Sequence, residues 1–492
     1  MSGRSEAIVI GGGFGGLAAA VRLGARGYHV TVVDKLDKPG GRAYVYEQDG
    51  FTFDAGPTIV TAPFVLEELW TLCGRQMSDD IDLRPISPFY RIRFADGTHF
   101  DYSGDEAAME AEIERFNPDD LAGYARFIEA SAKLYEIGFD KLLTVSFDSI
   151  GKMAGTVPDL LTAQFYRSVH SLVEKYIQHP KLRMVFSFHP LLIGGNPFSA
   201  TAVYALIAQL ERRHGVHFAM GGTGSLVKGL VKLIEGQGGT IRLNAPVKKI
   251  LTEDRRATGV ELASGEQLQA KVVVSNADAA ATYRYLLGDV ERRRWTERKL
   301  ARARYSMSLF VWYFGTDRQY GDVPHHMIML GPRYKELLDD IFNRKVLADD
   351  FSLYLHRPTA TDPSLAPAGC DAFYVLSPVP NLDGDVDWDE MAEPYRLRIE
   401  RFLAETVLPE LPEHVVSSQL LTPVDFRDRL WSVKGAAFSF EPVLLQTAWF
   451  RPHNRSEEIE GVYLVGAGTH PGAGMPGVIS SAKVLDEIVP DP

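Results

Sequence analysis

Residues 6–23, EAIVIGGGFGGLAAAVRL, form an apolar run, a glycine-rich turn and an alanine-rich segment. The run at 8–10 predicts a buried parallel strand, and the G-x-G-x-x-G spacing is supplied by Gly11, Gly13 and Gly16. In this motif the glycines permit a tight turn, approach of the backbone to a pyrophosphate and close packing of helix on strand. The helix predicted from Gly15 to about Arg26 would point its positive end at a diphosphate. The stretch therefore predicts a dinucleotide-binding unit.

An acidic residue supports this prediction. A second strand is predicted at 29–33, and Asp34 follows it, eighteen residues after Gly16. A carboxylate there can accept the ribose hydroxyls, and an acid rather than an arginine argues against a 2′-phosphate. Strand, helix, second strand and acid thus occur in the expected order, although the motif does not separate NAD from FAD.

Two further loops bear on that choice, KLDKPGGRAY at 35–44 and FDAGPT at 53–58. A nicotinamide enzyme needs no second Gly-Gly-Arg loop just beyond the ribose acid. Gly40 and Gly41 would let the backbone run against a flat ring, and Arg42 could meet the pyrophosphate or the ribityl chain. The alternative is that these are ordinary surface turns with a solvated arginine.

The C-terminal segment VYLVGAGTHPGAGMPGVISSAK, residues 462–483, favours FAD. Its five glycines leave the backbone bare, and Pro476 can open a helix at its first turn. A helix beginning near Gly477 would aim its positive end at flavin N1 and the C2 carbonyl, where negative charge gathers on reduction. The alternative is a glycine-rich turn between a last strand and a last helix.

Five motifs together carry a family resemblance: VIGGGFGGLAAAVRL, DKPGGRAYVYEQDGFTFDAGPT, SFHPLLIGGNPF, FSLYLHRP and VGAGTHPGAGMPGVISSAK. They resemble the bacterial carotenoid desaturases of the phytoene desaturase type, a branch of the flavin amine oxidase superfamily, over essentially the whole chain. The resemblance implies a noncovalent FAD and a polyisoprenoid hydrocarbon substrate, phytoene and then its carotene intermediates. It also implies stepwise dehydrogenation towards lycopene, with hydride passing to flavin N5.

The same resemblance implies a set of flavin contacts. Val247 matches a position whose backbone holds the adenine. The remaining matches are Gly11, Gly13, Gly16, Asp34, Lys35, Gly41, Arg42, Gly56, Pro57, Thr58, Gly468, Pro476, Gly477 and Val478.

Composition limits the partners. The net charge of -12 disfavours a nucleic-acid partner and gives no basic patch for anionic lipid. Cys73 and Cys370 lie far apart without metal or redox spacing, which predicts no metal and fits a reduced cytosolic compartment. We find no cleavable signal and no apolar run of bilayer length. The insoluble substrate therefore predicts peripheral association with the cytoplasmic face of the bacterial membrane, and oxygen or a membrane quinone as electron acceptor.

At 492 residues the chain predicts two domains of α/β class. A discontinuous Rossmann-type FAD-binding domain is assigned to 1–84, 212–281 and 422–492. A mixed α+β substrate domain is assigned to 85–211 and 282–421. Its helical region, about 119–207, contains the predicted membrane-facing stretch at 142–177.

The predicted substrate site is apolar. We find no paired charge or acid/base group of the kind that would orient a polar amine or hydroxy acid. The strand-like runs LFVWYF, HHMIML, FSLYLH and FYVLSP suit a second sheet with one face over a pocket. Residues that could line a hydrocarbon tunnel, or equally form the sheet's core, are Phe310, Val311, Trp312, Tyr313, Phe314, Leu353, Tyr354, Tyr374 and Leu376. His189 is the first candidate for a proton acceptor, although a histidine there is more often structural.

Other functions stay open at this stage. Within the same class they are a desaturase of a thirty-carbon or partly desaturated carotenoid, a carotenoid ketolase and an isomerase. A nonenzymatic prenyl-lipid carrier of the GDP-dissociation-inhibitor type shares the fold but lacks flavin. A polar-amine oxidase is disfavoured by the missing charged site.

Overall fold

The computed structural model describes residues 5–147, 150–162 and 164–492, with the backbone alone at positions 150 and 160. The strands are β1 (Glu6–Ile10), β2 (His29–Val33), β3 (Val45–Gln48), β4 (Phe51–Asp54), β5 (Leu83–Pro85), β6 (Tyr90–Phe94), β7 (His99–Tyr102), β8 (His217–Ala219), β9 (Thr240–Arg242), β10 (Val247–Glu253), β11 (Arg256–Leu262), β12 (Gln267–Gln269), β13 (Val272–Ser275), β14 (Ser308–Thr316), β15 (His326–Leu330), β16 (Leu353–His356), β17 (Asp371–Val379), β18 (Val415–Leu421) and β19 (Val462–Leu464). The helices are α1 (Phe14–Ala25), α2 (Pro63–Leu72), α3 (Glu106–Phe116), α4 (Leu121–Tyr135), α5 (Ile150–Thr162), α6 (Val169–Glu174), α7 (Pro180–Ser187), α8 (Leu206–His214), α9 (Thr223–Gly236), α10 (Ala279–Ala281), α11 (Glu297–Arg302), α12 (Tyr334–Asp339), α13 (Trp388–Thr406), α14 (Leu411–His414), α15 (Pro423–Leu430), α16 (Met475–Lys483) and α17 (Leu485–Ile488).

A five-stranded parallel sheet carries the N-terminal motif. Its strand order is β19-β13-β1-β2-β9, so β1 lies at the centre, with Val9 opposite Val274 on one side and Val32 on the other. Parallel strands buried on both faces are typically continuous apolar runs, which explains the composition of β1 and β13. The sheet brings together the beginning, the middle and the end of the chain.

Close packing of α1 on this sheet depends on Gly16. A Cβ atom at Gly16 would lie 2.0 Å from the carbonyl oxygen of Gly11, so no side chain fits there. The helix begins at Phe14, with Gly13 as its N-cap residue. The geometry is that expected of the third glycine of the motif.

A seven-stranded mixed sheet forms the second layer, in the order β18-β14-β17-β16-β15-β6-β7. Strands β15 and β6 are parallel, and the other neighbours are antiparallel. The four strand-like runs recognised in the sequence all lie in this sheet. Helix α13 covers one face, where Trp388 and Tyr395 pack against Phe310.

Helices α4 to α8 occupy the region predicted to be helical. That region begins earlier and ends later than predicted, since α3 precedes it and α8 continues to His214. Helix α3 was missed because its sequence consists mainly of charged residues and alanines and buries only Met109 and Ile113. Positions 148, 149 and 163 of the predicted membrane-facing stretch lie outside the described residues.

Within the described ranges, every helix is too short or too polar to cross a bilayer.

Candidate active site

One cavity runs between the two sheets and gathers nearly all the predicted cofactor residues. Gly16 lies outside it, behind the turn, where it packs α1 against Gly11. The predicted residues that line the cavity are Gly11, Gly13, Asp34, Lys35, Gly41, Arg42, Gly56, Pro57, Thr58, Val247, Gly468, Pro476, Gly477 and Val478.

At the dinucleotide end, two glycine loops lie side by side. The Gly40 N–H donates to the Gly12 carbonyl at 2.8 Å, and a Cβ at Gly41 would lie 3.2 Å from the Cα of Gly13. Bare backbone thus faces the cavity beside the N-terminus of α1, where amide groups and the helix dipole favour a phosphate.

Asp34 ends β2 at this part of the cavity and is buried. Its Oδ2 accepts a hydrogen bond from the Gly12 N–H at 2.6 Å, and its Oδ1 accepts one from the Leu36 N–H at 2.8 Å. Burial raises the pKa of Asp34, although the N–H groups of Leu36 and Gly12 oppose that shift. Each carboxylate oxygen keeps a further lone pair, with which it can accept a ribose hydroxyl.

Lys35 and Arg42 line the cavity but are also tied to the C-terminal part of the chain. Lys35 Nζ donates to the Asp428 carbonyl at 2.6 Å. Arg42 donates from Nε to the Ala437 carbonyl at 2.7 Å and from Nη2 to Ser432 Oγ at 2.8 Å. These bonds fix α15 and the segment after it against the N-terminal loops. A direct contact of either side chain with a cofactor stays a prediction.

Helix α16 also begins at the groove. Pro476 lies in its first turn, and Pro476, Gly477 and Val478 all line the cavity. The positive end of the helix therefore faces the place where a ring that gains negative charge would be stabilised. The groove thus contains glycine loops without side chains, the buried carboxyl group of Asp34 and the N-termini of α1 and α16. This set of groups fits FAD.

Beyond this groove the cavity continues between the seven-stranded sheet and the helices, and its walls become apolar. The sheet contributes Leu309, Val311, Ile328, Leu330, Leu353 and Leu376, and the helical side contributes Phe188, Leu191, Leu206, Ile207 and Leu210. This lining suits a hydrocarbon.

Four of the nine predicted tunnel residues do not line this cavity. Phe310, Trp312 and Phe314 point to the opposite face of β14, because successive side chains on a strand alternate. Tyr313 points inward but packs on Tyr46 and donates to the Ala55 carbonyl at 2.8 Å. The five that line the cavity are Val311, Leu353, Tyr354, Tyr374 and Leu376.

A chain of hydroxyl groups crosses the cavity wall where the two ends meet. Thr58 Oγ1 lies 2.7 Å from the Tyr374 hydroxyl and 3.4 Å from the Tyr354 hydroxyl. Tyr354 also contacts His326 Nδ1 at 2.7 Å. Burial raises the pKa of both tyrosines, which therefore stay protonated at neutral pH. The residues of this hydroxyl chain come from three distant parts of the sequence, so no local motif predicts it.

Glu211 is a cavity-wall residue that the sequence analysis missed. It lies on α8, is 1% exposed and accepts a hydrogen bond from the Tyr90 hydroxyl at 2.6 Å. Burial and the neighbouring Glu211 raise the pKa of Tyr90 well above its usual range, so Tyr90 remains the donor. The expectation that the pocket lacks an acid/base group is therefore wrong. The only signal was a glutamate on the apolar side of an otherwise amphipathic helix.

His189, the predicted proton acceptor, does not line the cavity. It is 1% exposed, stacks on Phe188, and its Nε2 lies 3.2 Å from Glu211 Oε2. The histidine therefore reaches the cavity only through Glu211, and its role as a base stays a prediction.

The fold and the cavity together define a dinucleotide-dependent enzyme with an apolar substrate site. The family model described as flavin containing amine oxidoreductase matches residues 14–484, and the chain belongs to this family. Its cofactor is FAD, as the groove indicates.

Two relatives of known activity are similar to the chain over its full length. A phytoene desaturase described as neurosporene-forming, from Cereibacter sphaeroides, is 50% identical, with 100% of this chain and 95% of the relative covered. One described as lycopene-forming, from a Paracoccus species, is 50% identical over 98% of this chain and 97% of the relative. Among solved structures, a putrescine oxidase variant covers 99% of this chain and all of its own with a TM-score of 0.66 at 14% identity, which shows the shared fold alone.

Proposed function

We propose that this protein is an FAD-dependent phytoene desaturase, which introduces double bonds into a long hydrocarbon in successive rounds. The observation that carries the proposal is the single cavity, in which a glycine-lined dinucleotide groove opens directly into an apolar chamber. The names of the relatives at 50% identity support the choice of substrate.

The cavity residues perform the tasks that the flavin leaves to the protein. When bound, FAD supplies the two-electron acceptor for a CH₂ group beside an existing polyene. The apolar walls align the chain and exclude water. A proton must leave the carbon next to the oxidised one, and the Glu211 carboxylate is a wall group able to accept it. Each round thus removes two electrons and two hydrogens and forms one C=C bond.

The test is pigment analysis of a bacterial host that makes phytoene, with and without this chain. We expect phytoene to be consumed and lycopene to accumulate. Since relatives of equal identity form neurosporene or lycopene, the chromatogram also shows where the sequence of desaturations stops. A flavin-loaded protein that leaves phytoene unchanged would overturn the assignment and direct the search to thirty-carbon or partly desaturated carotenoids.

We also propose that the cavity mouth docks on the cytoplasmic face of the cell membrane. Phe450 lines the cavity and is 42% exposed, and Leu445 is 69% exposed. Near the cavity-lining Phe165, Leu161 and Tyr166 are 52% and 58% exposed. Apolar and aromatic side chains around the entrance of a hydrocarbon site suit an interfacial contact.

Sedimentation with phospholipid vesicles tests this docking. The pair Leu445→Ser and Phe450→Ser should lower the bound fraction while the flavin content stays unchanged. Leu397→Ser is the matched control, because Leu397 is 44% exposed and lies on α13, on the far face of the mixed sheet. Equal binding of both variants and the unmodified protein would contradict docking at the mouth.

The electron acceptor is proposed to be oxygen or a membrane quinone. Turnover in vesicles under argon, with and without an added quinone, distinguishes the two. Turnover that needs neither would contradict the proposal.

A further inference from the structure

Three buried histidines lie together outside the cavity, on or next to the neighbouring antiparallel strands β15 and β16. His326 pairs directly with His356 across the two strands, and His325 occupies the bend just before β15. Their ring centroids are 4.4 to 5.2 Å apart. Neighbouring side chains within a strand point to opposite faces of the sheet. His325 lies before the strand, so its ring can lie on the same side as that of His326.

The three rings leave four nitrogens without a hydrogen-bond partner: His325 Nε2, His326 Nε2 and both ring nitrogens of His356. Each such buried polar atom carries a desolvation penalty. One nitrogen from each ring can be chosen so that all lie within 4.8 Å of one another. Within the described residues, this is the one group of three metal-ligating side chains so close together.

The remaining ring nitrogens of His325 and His326 are held by hydroxyl groups. His325 Nδ1 lies 2.6 Å from Thr361 Oγ1, and His326 Nδ1 lies 2.7 Å from the Tyr354 hydroxyl. A partner on one ring nitrogen fixes the orientation of the ring, and when that nitrogen donates to the hydroxyl oxygen, the other nitrogen presents its lone pair. This is the outer-shell arrangement found around metal-bound imidazole.

We propose that His325, His326 and His356 bind one divalent transition-metal ion, with zinc as the first candidate. Imidazole nitrogen suits zinc, copper and nickel, and three histidines with an open fourth position are a known zinc ligand set. Zn–N bonds of about 2.0–2.1 Å place tetrahedral neighbours about 3.3 Å apart. The three nitrogens, which lie within 4.8 Å of one another, therefore need to approach by up to about 1.5 Å. The site lies outside the substrate cavity, so the ion would clamp β15 to β16 rather than act on substrate.

Charged side chains and aromatic rings lie beside the cluster. Arg357 is the charged neighbour of His325, and Asp371 faces that arginine, with Arg357 Nε 3.7 Å from Asp371 Oδ2. Phe218 packs on His325 and Tyr374 packs on His356, both in T-shaped ring contacts. A water or a small anion would complete the coordination.

Zinc binding is measured on tag-free, FAD-loaded protein stripped with a chelator, then titrated with zinc chloride and dialysed. Inductively coupled plasma mass spectrometry should find one zinc per chain, and X-ray absorption should show nitrogen neighbours at about 2.0–2.1 Å. Less than a tenth of an equivalent retained, or a shell of oxygen neighbours only, would overturn the proposal.

Variants locate the site. His356→Asn should abolish retention of zinc, and Thr361→Val should lower the affinity about 10- to 100-fold, as loss of an outer-shell partner does elsewhere. His179→Asn is the control and should bind zinc normally, because His179 packs on Phe116 in another part of the fold. Retention of one zinc by a folded, flavin-loaded His356→Asn variant contradicts the proposal. If that variant loses its flavin, His325→Asn takes its place.

Discussion

The two ends of the cavity are built in different ways. The dinucleotide end consists mainly of backbone, from glycine loops and helix N-termini, together with the carboxylate of Asp34, and most of these groups lie within the first sixty residues. The apolar end consists of side chains from the mixed sheet and the helices, which are far apart in sequence. A backbone site must be specified by glycine spacing, whereas an apolar wall tolerates many combinations of similar volume. We therefore expect a single substitution at the dinucleotide end to abolish flavin binding. A single substitution at the apolar end should only reduce turnover.

The largest effect is expected for Gly16→Val. Its Cβ would collide with the Gly11 carbonyl at 2.0 Å, so α1 cannot pack and the protein should contain no bound flavin. Flavin absorbance per chain measures the loss. Gly236→Ala, at the end of α9, is the control, since nothing lies within 4 Å of its new Cβ. Normal flavin content in Gly16→Val would refute the described packing.

The second largest effect is expected for Glu211→Gln. It removes the proposed proton acceptor but keeps the shape and the bond from Tyr90, so turnover should fall about 100-fold with full flavin content. Initial rates of phytoene consumption in vesicles measure the change. Tyr90→Phe should reduce the rate less, because the carboxylate remains. A Glu211→Gln enzyme as fast as the unmodified one would mean that Glu211 only supports the wall.

Leu376→Trp tests the apolar end. Leu376 lines the cavity on β17, and the larger ring should obstruct the hydrocarbon and slow turnover about tenfold, a barrier increase of about 1.4 kcal/mol. Flavin should remain bound. Leu420→Trp is the matched control, because Leu420 faces the α13 side of the same sheet. Equal losses in both variants would indicate general destabilisation rather than obstruction.

The smallest effect is expected for Thr58→Val, where the two ends meet. Loss of the 2.7 Å bond to Tyr374 should lower the free energy of unfolding by about 1 kcal/mol. Thermal denaturation measures it. Thr58→Ser keeps the hydroxyl and should behave like the unmodified protein. Equal stability of Thr58→Val and the unmodified protein would contradict a stabilising role of this bond.

The contrast between the two ends also explains what could be predicted from the sequence. The strand, turn, helix and acid at 8–34 are local, and their spacing alone predicts β1, α1, β2 and the position of Asp34. The runs of β14 to β17 are apolar enough to predict strands, but not which face meets the cavity, since both faces are buried. Glu211 and the histidine cluster depend on contacts between distant segments, which spacing does not reveal.

The most direct test of the central claim, that one cavity serves both flavin and hydrocarbon, is anaerobic mixing of the FAD-loaded protein with phytoene in vesicles. The oxidised-flavin absorbance should disappear in step with formation of the first desaturated product, one equivalent for each flavin. Unchanged absorbance, with phytoene recovered intact, would contradict the account.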